Sequence, residues 1–196
     1  MRIGVLGGSF NPPHIGHLLV AVDAYEALDL DRLIIVPAGT QPMKGDIGGP
    51  TPAQRIEMVN LTFGRDARFE VTAMEIERGG LSYTVDTLEA LTARHPGSEL
   101  VLLLGSDALK GFPQWKNPAR IRELARVAVL CRAGVTGAPV GGPANNVAGG
   151  MAMVTTRRLD VSSSEIRSRA GSGRPIRGFV VDSVEEYISA AKLYRA

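Results

Sequence analysis

The chain has 196 residues, of which 44% are apolar and 21% charged, with a formal net charge of +2. That length suits one domain with a substantial core, and the near-balanced charge argues against nucleic acid or a membrane surface as partner while leaving room for a local anion site. The single cysteine, Cys131, can build neither a disulfide framework nor a cysteine-rich metal site. The opening residues lack the pattern of a signal peptide, and no apolar run nears the roughly 18 residues of a membrane span, so a cytoplasmic protein is expected.

In chain order, "RIGVL" (2–6) reads as a first strand, and the turn "GGSFNPPHIGH" (7–17) leads into a helix on which Leu18, Ala21, Val22, Tyr25 and Leu28 recur at helical spacing. "RLIIVPA" (32–38) is a second strand, followed by a Gly- and Pro-rich stretch (39–52) that reads as a mobile flap, and by the helical "PAQRIEMVNLTF" (52–63). "FEVTAMEI" (69–76) reads as a strand, "TVDTLEALTARH" (84–95) as a helix and "ELVLLLG" (99–105) as a strand. "PARIRELA" (118–125) is helical and "RVAVLCR" (126–132) extended. The Gly-rich stretch 133–150 reads as a surface insertion without regular structure, "MAMVTT" (151–156) as a last strand, and "DSVEEYISAAKLY" (182–194) as a final helix. Near-continuous apolar strands alternating with helices predict an α/β fold: a doubly wound, Rossmann-like, mostly parallel sheet with helices on both faces. One domain over 1–196 is expected, with the C-terminal helical part (about 162–196) packed on it.

In such a sheet, ligands bind beyond the carboxyl ends of the strands. The turn after the first strand therefore draws notice. Gly7 and Gly8 permit close backbone approach and positive φ, Pro12 and Pro13 stiffen the helix entry, and the open amides of the helix start favour an anion. His14 and His17, at i and i+3, fall on one face of the first helical turn. A zinc site would need further ligands, and none stands at a suggestive spacing. A purely structural pair, one capping and one packing, is the plain alternative. The glycine pair before them and Gly16 between them favour phosphate.

"VSSSEIRSRAG" (161–171) offers a second anion grip. Ser162 and Glu165 have the form of a capping box, while Ser163, Ser164 and Arg167 add hydroxyls and a guanidinium fork to the same helix start.

These residues carry a resemblance. "GGSFNPPHIGHL" resembles the signature of nucleotidyltransferases with a histidine, any residue, glycine, histidine motif, and is especially similar to the bacterial nicotinate-mononucleotide adenylyltransferase family; "VSSSEIR" resembles that family's second signature. Weaker likenesses fall between them in order: Thr84 in "LSYTVDTLEAL", Gly105, Asp107 and Trp115 in "LGSDALKGFPQWKNP", and Lys44 in "PMKG". The resemblance implies transfer of the adenylyl group of ATP to nicotinate mononucleotide in NAD biosynthesis. It implies His14, His17 and Arg167 as catalytic residues, and Gly7, Gly8, Ser9, Phe10, Gly105, Asp107, Ser162, Ser163 and Ser164 with His17 and Arg167 around ATP. Lys44, Thr84 and Trp115 would meet the acceptor, and Mg²⁺ would be held mainly by the ATP phosphates.

Each weaker match has a plainer reading: Thr84 as an N-cap, Asp107 as a cap of the next turn, Trp115 as core, Lys44 as a solvated surface charge. Ser9 and Asn11 replace the family's threonine and aspartate and keep its hydrogen bonding. Met43 replaces a histidine, and "CRAG" an arginine, proline, glycine run. The alternatives are an enzyme acting on nicotinamide mononucleotide or phosphopantetheine, or a non-catalytic nucleotide sensor on the same fold. A nucleic-acid module ranks last, for want of a basic stripe with stacked aromatics. A homo-oligomer stays open.

Overall fold

The computed structural model describes residues 1–40, 49–133, 140, 142, 144–147 and 150–195. Among these, the strands are β1 (Arg2–Gly8), β2 (Arg32–Pro37), β3 (Phe69–Val71), β4 (Glu99–Gly105), β5 (Ala125–Arg132), β6 (Asn145–Val147) and β7 (Met151–Thr156). They form one sheet in the order β3-β2-β1-β4-β5-β7-β6. All neighbours are parallel except β6, which runs antiparallel to β7. The doubly wound α/β expectation holds.

The helices are α1 (Ile15–Ala27), α2 (Pro52–Phe63), α3 (Met74–Arg78), α4 (Thr84–Arg94), α5 (Ser106–Gly111), α6 (Pro118–Leu124), α7 (Ser163–Gly171) and α8 (Asp182–Ala190). Side chains alternate across the strands, as the period of 2 demands. Leu33, Ile35, Val101 and Leu103 face the layer formed by Ala21 and Ala24 of α1 with Val59 and Phe63 of α2. Ile34, Val36, Leu100 and Leu102 face Leu88 and Leu91 of α4 and Ile121 of α6. With both faces covered, the strands must be apolar nearly throughout, which explains runs such as "RLIIVP". A third cluster joins Met58 of α2 to Ile166 of α7 and to Val184 and Ile188 of α8.

The packing is close at Gly4, where a Cβ would lie 2.5 Å from a Leu30 methyl and 2.7 Å from a Leu33 methyl. β1 lies between β2 and β4, and the chain winds outward from it in both directions, so the topological switch lies between β1 and β4. Their carboxyl ends carry Gly7–Gly8 and Gly105.

Three expectations need correction. The strand predicted over 69–76 ends at Val71, and α3 starts at Met74. The Thr72 amide still donates to Ile35 O, but Thr72 Oγ1 then accepts from the Met74 amide and turns the chain. The 133–150 stretch is not wholly irregular, because Asn145–Val147 adds an edge strand to β7. The last helix stops at Ala190 rather than running to 194. Lys192 and Tyr194 take left-handed φ values of 51° and 65°, which return the chain end toward the rest of the molecule.

Candidate active site

The two histidines cap α1 with each other. His14 is its N-cap, with extended backbone angles; its Nδ1 accepts from the His17 amide at 3.3 Å, and His17 Nδ1 accepts from the His14 amide at 3.2 Å. This is the reciprocal logic of a Ser–Glu capping box, built from two imidazoles. The rings stack, 3.7 Å between centroids and 29° between planes. Gly16 makes room for this, since a Cβ there would lie 3.0 Å from His14 Nδ1.

The cap fixes the chemistry of both rings. An Nδ1 that accepts a hydrogen bond carries no proton, so each neutral ring has its proton on Nε2 and presents an N–H donor beyond the cap. Burial lowers the His14 pKa to about 4. Burial, with a smaller contribution from the neighbouring His14, lowers that of His17 to about 3. Both rings are therefore neutral near pH 7 in the free protein and offer Nε2–H donors rather than positive charge. The structural and phosphate-binding readings of the pair are thus compatible.

The turn before the pair differs from the sequence-based picture. Gly7 and Gly8 are not in a positive-φ turn: both belong to β1, paired with Val36 and Pro37 of β2. The left-handed residue is Phe10, at φ 44°, with its ring buried against His17 at 5.1 Å and Phe63 at 6.0 Å between centroids. Gly8 accommodates that ring, because a Cβ there would sit 3.0 Å from it. Ser9 is half-buried between them, and the Asn11–Pro12 peptide is cis.

The two signature segments meet in space. Arg167 Nη1 donates to Asn11 O at 2.8 Å, and Ser163 Oγ donates to Pro12 O at 2.8 Å, joining α7 to the turn across about 150 residues of chain. Arg167 Nη2 also donates to Ser164 Oγ at 3.1 Å, which aims the guanidinium along the start of α7. Ser162 is the N-cap and accepts from the Glu165 amide at 3.2 Å. Ser162 and Ser164 both accept, and among the described residues neither hydroxyl proton is committed. Ser163 uses its own on the Pro12 carbonyl, so its hydroxyl serves the loop.

The remaining candidates lie farther along the sheet edge. Thr84 is the first residue of α4 and not its N-cap; that position is Tyr83, whose side chain makes no capping bond, so the first amides of α4 stay open. Trp115 is half-buried against Phe112, 5.5 Å between centroids, at the margin of the apolar layer below. Lys116 Nζ lies 4.5 Å from the centre of the Tyr83 ring and 3.0 Å from Asp86 Oδ1, tying the Trp115 segment to the start of α4. Gly105 is the N-cap of α5, again without a side-chain cap. Asp107 lies exposed in its first turn, 3.6 Å from Lys110 Nζ, rather than capping it. Lys44 and Met43 lie outside the described residues, as does most of the 39–52 stretch. Among the described residues, no three His, Cys, Asp or Glu side chains are grouped as a metal-ligand set.

Two residues escaped the sequence reading. Arg55 of α2 is buried and donates to three main-chain carbonyls, Ser9 O at 3.1 Å, Ala38 O at 2.6 Å and Gly39 O at 3.2 Å. Tyr194 Oη donates to Asn11 Oδ1 at 2.8 Å. A signal for Arg55 exists: it sits three and four residues before Met58 and Val59, on the buried stripe of its helix. Tyr194, in the last turn of the chain, had none.

A turn at the switch point of a parallel sheet, with two histidines capping the helix after it and an arginine reaching it from a second helix start, defines a nucleotidyltransferase-like α/β protein. Comparison with known proteins agrees. The model of the cytidylyltransferase-like family matches residues 5–169. A relative from Gemmatimonas aurantiaca, named a probable nicotinate-nucleotide adenylyltransferase, is 49% identical, covering 100% of this chain and 93% of its own. A protein of the same name from Thermus thermophilus is 39% identical with both chains fully covered. The solved structure of Plasmodium falciparum nicotinic acid mononucleotide adenylyltransferase complexed with NaAD matches with a TM-score of 0.76 at 18% identity. It covers 98% of this chain and 97% of that one, a likeness of fold. The chain belongs to the cytidylyltransferase-like family, among its nicotinate-nucleotide adenylyltransferases.

Proposed function

We propose that this protein transfers the adenylyl group of ATP to nicotinate mononucleotide, giving nicotinate adenine dinucleotide and pyrophosphate. The observation that carries this reading is the joining of the His14–His17 cap to Arg167 through the Ser9–Pro12 turn. The acceptor's 5′-phosphate oxygen attacks the α-phosphorus in line, forming the new P–O bond as the bond to the pyrophosphate oxygen breaks. Such a transfer asks for positioning and charge stabilisation more than for covalent participation. In this reading the Nε2–H groups of His14 and His17, with the amides of the Ser9–Asn11 turn, donate to phosphate oxygens as negative charge grows on them. The start of α1 does not add its amides, because His14 and His17 use theirs on each other's Nδ1 and Ile15 donates to Phe179 O at 2.9 Å. Arg167 and Ser164 stay with the departing pyrophosphate. Ser162 and Ser163 hold the start of α7 and the turn in place for it. Gly105 and Asp107 line the ribose side.

The open amides of α4 at Thr84 and the ring of Trp115 suit a flat heterocycle bearing a carboxylate, which supports the acid over the amide as acceptor. Mg²⁺ travels with the triphosphate: the described side chains supply no carboxylate cage, and this ion commonly binds through substrate phosphates and keeps several waters. When bound, it neutralises phosphate charge. We place the protein in the cytoplasm, where the lone buried thiol of Cys131 stays reduced; no helix among the described residues is long and apolar enough to cross a membrane.

The test is pyrophosphate release with Mg-ATP and, in parallel, nicotinate mononucleotide, nicotinamide mononucleotide and phosphopantetheine. Fast release with the first alone is expected. Equal release with the amide would remove the role given to the start of α4, and silence with all three from protein that binds ATP would leave a nucleotide sensor.

A further inference from the structure

The turn at Ser9–Asn11 is held in a conformation that its own sequence disfavours. A bulky aromatic residue at φ 44° is rare, because its Cβ crowds its own backbone, and such a residue persists only where its surroundings over-determine it. Three groups do so here, and one of them, Arg167, already belongs to the proposed site. The others come from opposite directions. Arg55 reaches up from α2 and fastens Ser9 O, the carbonyl immediately before Phe10, to Ala38 O and Gly39 O beyond the end of β2. Tyr194 reaches in from the last turn of the chain and fixes the side chain of Asn11, the residue immediately after Phe10.

We infer that Arg55 and Tyr194 are positioning residues for adenylyl transfer: they set the Ser9–Asn11 turn, and through it the phosphate-facing amides and the His14–His17 cap, without touching substrate. This rests on the reading under Proposed function.

Several features favour this over a stabilising role alone. Arg55 is buried, its hydrogen bonds go to carbonyl oxygens, and the Tyr194 phenol stands near its charge; among the described residues no carboxylate pairs with it. A lone buried cation is a costly way to tie two loops, whereas beside a phosphate-binding turn its charge also favours the anion. Burial lowers the Arg55 pKa from its usual value, yet guanidinium stays protonated at any working pH. Tyr194 has the same double character. Its ring packs on the cluster of α2, α7 and α8, while its hydroxyl leaves that cluster for buried Asn11. The Asn11 side chain therefore has its oxygen occupied and its amide group oriented. The left-handed Lys192 and Tyr194 give the last turn the path this contact needs. Gly171 admits that path, since a Cβ there would lie 2.9 Å from Tyr194 O.

The experiment uses Tyr194→Phe, which keeps the ring and removes the hydroxyl, and Arg55→Lys, which keeps the charge and loses the planar fork. Tyr187→Phe is the control, because Tyr187 packs in the same cluster and its hydroxyl has no partner among the described residues. Two quantities are read: hydrogen exchange of the 8–11 amides in the free enzyme, and kcat and KM for pyrophosphate release. Tyr194→Phe should speed exchange of that turn about tenfold with little change in α8, and lower kcat about tenfold, which is about 1.4 kcal/mol, with KM within twofold. Arg55→Lys should lower kcat about a hundredfold, and Tyr187→Phe should match wild type. Wild-type kcat and turn exchange in both variants would overturn the inference, as would a lower melting temperature with kcat unchanged per folded molecule. If the wild-type enzyme itself released no pyrophosphate, the functional reading would fail. The exchange data on the free enzyme would still decide whether Arg55 and Tyr194 hold the turn.

Discussion

Acid should destabilise this protein through its two capping histidines, in a pH range that separates them from the carboxylates. In the folded state the rings accept backbone hydrogen bonds at Nδ1, and their pKa values lie at about 4 and about 3, against 6.5 when free. At pH 5 the unfolded chain binds a proton on each imidazole and the folded chain binds almost none. Stability contributed by the neutral rings is therefore complete above 6.5 and drains away as pH falls toward the folded values. Between pH 7 and pH 5 the loss is about 2 kcal/mol for each ring, or about 4 kcal/mol for the pair. Asp66, whose carboxylate Arg68 holds below its usual value, loses its contribution only below about pH 4, outside this window.

The variant that isolates the effect is His14→Asn with His17→Gln. Asparagine is among the best N-cap residues, and glutamine three positions on completes a capping box, so the helix start survives without a titrating group. Urea unfolding at pH 7 and pH 5 should show wild type losing about 4 kcal/mol and the double variant under 1 kcal/mol. A double variant that lost as much as wild type would refute the neutral, reciprocally capped pair.

Further outcomes follow from the same geometry. His17→Glu keeps the reciprocal cap but offers no N–H, and should lower kcat at least about a hundredfold while the melting temperature at pH 7 stays within a few degrees. Arg157→Ala strips the fully buried Asp23 carboxylate of its bidentate partner, and chemical unfolding should show a loss of about 3 kcal/mol with kcat little changed. Chelation of Mg²⁺ with EDTA should abolish pyrophosphate release and leave the melting temperature of the substrate-free protein where it was, since the ion enters with ATP.

The sequence by itself determined the sheet and most of its helices, because those depend on patterns local to a few residues. Runs such as "ELVLLLG" admit a strand covered on both faces and little else. "PAQRIEMVNLTF" opens on proline directly after a capping threonine, Thr51, and its helix spans Pro52–Phe63 as expected. The histidine pair and the serine-rich segment were legible because their spacing places them at helix starts.

What only the tertiary structure decided depends on partners distant in the chain. No local pattern says that Arg167 finds Asn11 O, that Ser163 gives its proton to Pro12 O, or that Tyr194 returns to Asn11 across 183 positions. The left-handed φ of Phe10 is likewise a decision of its surroundings, since the neighbouring glycines were the local candidates and are instead held in β1 by pairing with β2. The extended reading of 69–76 failed for the same reason. Among the described residues β3 has a partner on one side only and that pairing ends at Val71, after which buried Met74 and Glu75 settle the chain into a helix. Patterning chooses which face of an element is buried, and packing chooses which distant groups meet there.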